Sequence, residues 1–141
     1  MEWASAVSER VDTREAVREA ALALRSDRIR PPDLVLAFIS PHHAANYERV
    51  PGWVFEHLQP GTFAGCSAAG VIGGGRELEN REALSLTAAW LPDSKVCLAF
   101  LEKNPEQPEL VWPALLESEG SQISALITLV DPYSFDAEGL L

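Results

Sequence analysis

The chain has 141 residues, 47% hydrophobic and 23% charged, the balance of a folded globular protein with a substantial core rather than of a disordered one. Its formal net charge is −10, and residues 50–141 carry four Lys/Arg against thirteen Asp/Glu, a field that repels phosphate backbones and anionic lipid and so argues against nucleic-acid or membrane-surface partners. Apolar runs such as Leu34 to Ile39 fall far short of the ~20 residues that span a bilayer, and no basic-then-apolar leader opens the chain, so a cytoplasmic address is expected.

In chain order, the alternation from Trp3 to Ser8 predicts a first strand. Asp12 stands three residues before Glu15, the arrangement of a capping box, so a helix should begin near Thr13. Ala16, Val17, Ala20, Ala21 and Leu24 form its apolar face, with Arg14, Glu15, Arg18, Glu19 and Arg25 opposite. The Arg30-Pro31-Pro32-Asp33 run breaks that helix. Leu34 to Ile39 is continuously apolar, as a strand covered on both faces of a parallel sheet would be. Ser40-Pro41 then offers an N-cap and a first helical position. The following helix, about His42 to Leu58, should turn Tyr47, Val50, Val54, Phe55 and Leu58 inward and be kinked or split at Pro51-Gly52.

Phe63 to Cys66 predicts a second short strand leading into a glycine-rich loop, and Ala83 to Trp90 a third segment of strand character. Leu91 to Ser94 reads as a turn into another strand, Lys95 to Leu101, forming an antiparallel hairpin. A short helix over Leu110 to Glu117, a buried strand over Ile123 to Val130 and two turns of helix over Phe135 to Leu141 complete the chain. It stops on Leu140-Leu141 without a C-cap signal, so a fragment of a longer protein is expected. The fold class is α/β: a mixed, partly parallel sheet with helices packed on it, truncated at the C-terminus.

The stretch Phe63 to Gly75 holds five of the nine glycines, which marks backbone that turns sharply or lets something approach closely. It fits no phosphate-loop or dinucleotide template, because Gly75 is followed by Arg76-Glu77 and Gly73-Gly74-Gly75 lacks the required spacing. Where strands run parallel, their C-terminal ends share one edge and ligands bind there. That edge would gather Ser40, His42 and His43 after one strand, Cys66, Ser67, Gly70, Gly73, Gly74 and Gly75 after the next, and Asp131 after the last. Main-chain N–H groups of the loop and the first turn of the helix would then hold an anionic group such as a carboxylate. The bland alternatives are solvated surface histidines and a glycine corner that merely joins two strands.

Adjacent histidines point about 100° apart on a helix, and no Cys or acidic cluster stands at ligand spacing, so no metal and no cofactor are expected. Cys66 and Cys97 lie 31 positions apart, which gives no disulfide framework and predicts free, largely buried thiols. A different class of function is an enzyme with Cys66 as nucleophile and His42 or His43 as base, or with Ser67 as nucleophile and a partner from the missing part of the domain. The near-elbow Gly65-Cys66-Ser67-Ala68-Ala69 has Ala69 where the last glycine belongs, and every histidine precedes Ser67. A third class is a protein-interaction scaffold using the acidic surface.

These same residues resemble the FIST domain family, named for F-box and intracellular signal-transduction proteins. The likeness rests on Ala4-Ser5-Ala6-Val7-Ser8 with Asp12-Thr13, on Pro32 to His43, on Phe63 to Gly75 and on Asp131-Pro132-Tyr133-Ser134-Phe135, with Gly65-Cys66-Ser67 to Gly70 its most specific piece. The resemblance implies that residues 1–141 are an incomplete N-terminal sensory domain whose C-terminal companion is absent. It further implies binding of a small ligand, an amino acid or a derivative, and signalling to an attached or separate output domain. It carries no catalytic residues.

Overall fold

A computed structural model describes residues 1–25, 29–98 and 123–129. The chain divides into two compact units, Met1–Cys97 and Leu98–Leu141.

The first unit runs β1 (Glu2–Ser8), α1 (Thr13–Arg25), β2 (Leu34–Ile39), a 3-10 helix (Pro41–Arg49), α2 (Val50–Leu58), β3 (Thr62–Ser67), β4 (Gly70–Gly73), β5 (Arg76–Glu79) and β6 (Leu84–Trp90). Four strands form one sheet in the order β1-β6-β2-β3, and β4-β5 form a separate hairpin. β2 and β3 pair in parallel, while β6 lies antiparallel to both β1 and β2. β1, β2 and β3 therefore run the same way. The register aligns Ser8, Leu84, Ile39 and Ser67 across the sheet, so three strand ends and the start of β6 share one rim.

One face of the sheet is packed by the helices. Asp12 Oδ1 accepts the Glu15 N–H at 2.9 Å, satisfying one of the free donors at the start of α1. Ala16, Val17, Ala20, Ala21 and Leu24 are all buried, against Ala6, Val35, Ala37, Ile39, Leu84, Leu86, Ala88 and Trp90 of the sheet and Val50, Val54 and Leu58 of α2. The short alanines let α1 lie close to β6, which is why a helix with a single leucine on its apolar face still seals the core. Asp12→Ala should cost about 1 kcal/mol, the usual worth of a helix cap. Denaturant unfolding of the variant checks this, and an unchanged midpoint would mean that water serves the exposed N–H as well.

The opposite face has two smaller apolar clusters. Leu34, Leu36 and Ala89 pack with Phe38, Ala64, Leu91 and Val96. Val71, Leu78 and Ala83 pack with Val7, Phe38 and Ala68, which seats the β4-β5 hairpin over the rim end of β1 and β6. β2 is thus covered on both sides, which accounts for its unbroken apolar sequence.

Several expectations are corrected. The helix after Ser40 is split one residue earlier than Pro51, into a 3-10 and an α segment, and Phe55 points outward while Val50, Val54 and Leu58 face in. Lys95–Leu98 form no strand, so the expected hairpin partner of β6 is missing over its described part. Residues 123–129 lie outside helix and strand with exposed side chains, where a buried strand was expected. The helices expected at Leu110 to Glu117 and Phe135 to Leu141, and Asp131, lie outside the described residues. Among the described residues no helix is long and apolar enough to cross a membrane.

Candidate functional site

Among the described residues of the first unit, the buried polar ones are Ser8, Thr13, Ser40, His43 and Ser85. Four of the five belong to the rim end of the helix-covered face: Ser8 closes β1, Thr13 opens α1, and Ser40 and His43 follow β2. Burying polar groups at the end of an apolar core is costly unless they are hydrogen-bonded. Most of these are.

Ser40 staples the rim together. Its N–H donates to Ala83 O at 2.9 Å, and its Oγ accepts the Ala83 N–H at 3.0 Å. That use explains why the Ser40 side chain caps no helical N–H. Tyr47 O–H donates to Ser40 O at 3.0 Å. The Ala68 N–H donates to Ile39 O at 2.9 Å, which brings the Cys66-Ser67 corner to the strand end from which Ser40, His42 and His43 continue. Pro41 has no N–H and the His43 N–H is spent on Ser40 O, so within the first turn His42 supplies the backbone donor.

The two histidines differ. His42 is exposed, with Nδ1 3.4 Å from Ser40 Oγ. His43 is 1% exposed, and its Nδ1 lies 3.1 Å from Thr13 Oγ1. Asn46 Nδ2 donates to the same hydroxyl at 3.1 Å. His43 and Asn46 reach one atom together because the segment is a 3-10 helix, in which side chains three apart eclipse. Nε2 of His43 is buried without a hydrogen-bond partner. Burial pushes the imidazole pKa below its ordinary 6.5; Glu82 and Asp12 pull the other way, and His42 adds to the depression.

The glycines are used structurally. Gly73 packs on β1, where an added Cβ would come within 3.0 Å of Ala6 O. Gly74 and Gly75 are the two-residue turn of the hairpin at φ 56° and 75°, the left-handed pair that such a turn favours. The Gly74 N–H donates to Ser5 Oγ at 3.0 Å. Gly70 opens β4 opposite Glu79. What reads in sequence as an open loop of bare amides is a hairpin folded back over β1, and Gly73, Gly74 and Gly75 lie toward the middle of that strand rather than at the rim.

Both cysteines are exposed, against the expectation of buried thiols. β3 is the last strand of its sheet, so the end carrying Cys66 and Ser67 is open to solvent. Partial desolvation pushes the Cys66 thiol up from its ordinary value, the reverse of what activates a nucleophile. The ring Nδ1 atoms of His42 and His43 are turned to Ser40 and Thr13 rather than to Cys66 or Ser67. Among the described residues no group of three His, Cys, Asp or Glu side chains is placed to hold a metal ion.

Sequence reasoning missed Thr13, Asn46 and Tyr47. The signal that would have found Asn46 is its i+3 spacing from His43, which puts the two on one face of a helix and eclipses them in a 3-10 helix. At the opposite end of the sheet, a shallow open depression of about 700 Å3 is lined by Met1, Glu2, Ile29, Arg30, Trp90 and Pro92. Arg30 is already paired there with Asp33 Oδ2 at 2.7 Å, whereas the rim has a buried polar atom still to be satisfied.

No curated protein and no solved structure matches the chain. The model of the FIST N domain matches residues 33–141, well over half the length and inclusive of the rim from Ser40 to Ala83. The chain therefore belongs to the FIST N domain family, a family of signal-transduction sensory domains.

Proposed function

We propose that the chain senses a small oxygen-bearing ligand, an amino acid or other small carboxylate, at the rim formed by Ser40, His42, His43, Cys66, Ser67 and Gly70, and signals to an attached or separate output domain in the cytoplasm. The observation that supports this most directly is the buried, unpartnered Nε2 of His43 among polar neighbours that are otherwise hydrogen-bonded. A buried polar atom of that kind gains from a hydrogen-bond partner that reaches it. The His42 N–H and the hydroxyl of Ser67 stand at the same rim and suit a carboxylate. Free thiols at Cys66 and Cys97 accord with a reducing compartment.

Signalling would proceed by population shift. A ligand bridging the turn after β2 and the corner after β3 favours the arrangement in which those two segments are held together, and the output domain reads that surface. A thermal-shift screen of amino acids and small organic acids on the whole chain tests this reading. At least one compound should raise the midpoint, and the rise should vanish in a His42→Ala, Ser67→Ala double variant. A screen without a single stabilising compound, or a response that survives both substitutions, would overturn the assignment.

A further inference from the structure

The hydrogen bonds beneath the rim favour one tautomer of His43. Asn46 Nδ2 is a donor and can only give a hydrogen to Thr13 Oγ1. The Thr13 hydroxyl keeps its own proton, and Nδ1 of His43 lies 3.1 Å away; with Nδ1 protonated instead, two hydrogens would converge on Oγ1 and the hydroxyl proton would lose this acceptor. Full matching of these donors and acceptors makes Nδ1 the accepting nitrogen and places the proton of the neutral ring on Nε2, the atom that is buried and unpartnered.

We propose that the relay Asn46 to Thr13 to His43 fixes the imidazole as an Nε2–H donor, so that the site selects ligands that present an oxygen acceptor at that position. This inference rests on the rim reading above and adds to it the donor atom, two positioning residues and the ligand's polarity. A carboxylate or carbonyl oxygen completes the relay. An ammonium or other donor-only group would leave two hydrogens facing each other and is rejected. A site whose buried polar group must be matched discriminates far more sharply than an apolar pocket does.

The test uses the whole chain labelled with 15N-histidine, observed by NMR well above the imidazole titration, with sodium acetate as probe and sodium chloride and methylammonium chloride as controls. In the free protein the long-range couplings should show His43 protonated on Nε2, and acetate alone should move that resonance. Thr13→Val removes the lock while nearly preserving shape; the two tautomers should then mix and acetate binding weaken on the order of fivefold, the worth of about one hydrogen bond. Asn46→Asp replaces a donor by an acceptor, takes up the Thr13 proton and should move the histidine proton to Nδ1. Retained amide dispersion shows that each variant is folded.

A free protein with His43 protonated on Nδ1 overturns the relay, whether or not the thermal-shift screen finds a ligand. An Nε2–H signal that acetate leaves in place overturns the donor role, even if the screen finds compounds that bind elsewhere on the rim. Failure of the rim reading itself shows in that screen, not in the tautomer of the free protein.

Discussion

Gly65→Ala should lower the stability of the Met1–Cys97 unit by about 2 kcal/mol, and Gly65→Val by more, with the midpoint of thermal unfolding falling by several degrees. A Cβ on Gly65 would lie 2.6 Å from Ala37 O and 3.1 Å from Ala37 Cβ. Neither atom can yield easily. Ala37 is fully buried and belongs to β2, which is fixed on its far side by β6 through the pairing of Ala37 with Leu86. β3 is the strand that must move, and moving it strains the parallel pairing over Thr62 to Ser67. The Ala68 N–H to Ile39 O bond at the rim lies in the path of that displacement, so any ligand response should weaken along with stability. Gly52→Ala is the internal control. An added Cβ there meets nothing within 4 Å, and the residue sits inside α2, where alanine is favoured over glycine by roughly 0.5–1 kcal/mol. Opposite signs for two Gly→Ala changes would show that close approach, rather than glycine content, sets the cost. A Gly65→Ala chain as stable as the parent would mean that β3 is not held at this distance.

How far the sequence could be read depended on whether a pattern had one physical cause or two. The apolar stripe of α1 and the unbroken run of β2 each have one, since only a helix packed on one side and a strand covered on both produce them, and both elements stand where expected with a mixed sheet around them. The glycines of Phe63 to Gly75 have two. A missing Cβ admits a ligand or the chain's own backbone, and at Gly65 and Gly73 it is the backbone of Ala37 and Ala6 that fills the space. Strand propensity likewise marks Lys95 to Leu98 without saying whether a partner strand is in reach. Cys66 reads as buried because its neighbours are small and apolar, yet β3 ends the sheet and leaves it open. The rim itself followed from the parallel order of β2 and β3, and with it Ser40, His42, His43 and Ser67. Thr13 was out of reach, since it comes from an element thirty residues away, and the i+3 spacing of Asn46 from His43 gained meaning only once that partner was known.

His43→Leu should separate stability from sensing. The parent chain should lose stability as pH falls from about 6.5, and the direction follows from the two states of this one ring. In the unfolded chain the imidazole takes up a proton near its ordinary 6.5, while in the folded chain burial holds the pKa lower. Above 6.5 both forms are neutral and full stability is present. Between 6.5 and the folded value the unfolded state binds more protons, so stability declines with falling pH, and the loss is complete once the folded ring is charged as well. The charged or titratable groups bearing on the ring are Glu82 and Asp12, which favour the proton, and His42, which opposes it; they temper the shift without reversing it. The acids held low by arginines or a hydroxyl, Glu9 by Arg76 and Arg81 and Glu19 by Ser8 and Arg10, lose their contributions only below their ordinary 4.5, outside this window. His43→Leu removes the titration and also the buried donor that lacks a partner, a group whose burial costs about 1–3 kcal/mol. It also takes the Nδ1 acceptor from the buried Thr13 hydroxyl, a loss of similar size, so the two effects offset: the variant should be about as stable as the parent at neutral pH, less sensitive than the parent to falling pH in urea unfolding, and unresponsive to every compound that stabilises the parent. A variant that is strongly destabilised, or that keeps the acid slope, would show that the ring is held for packing and that another group titrates. A stable variant that still responds to ligand would remove His43 from the site while leaving the rim in place.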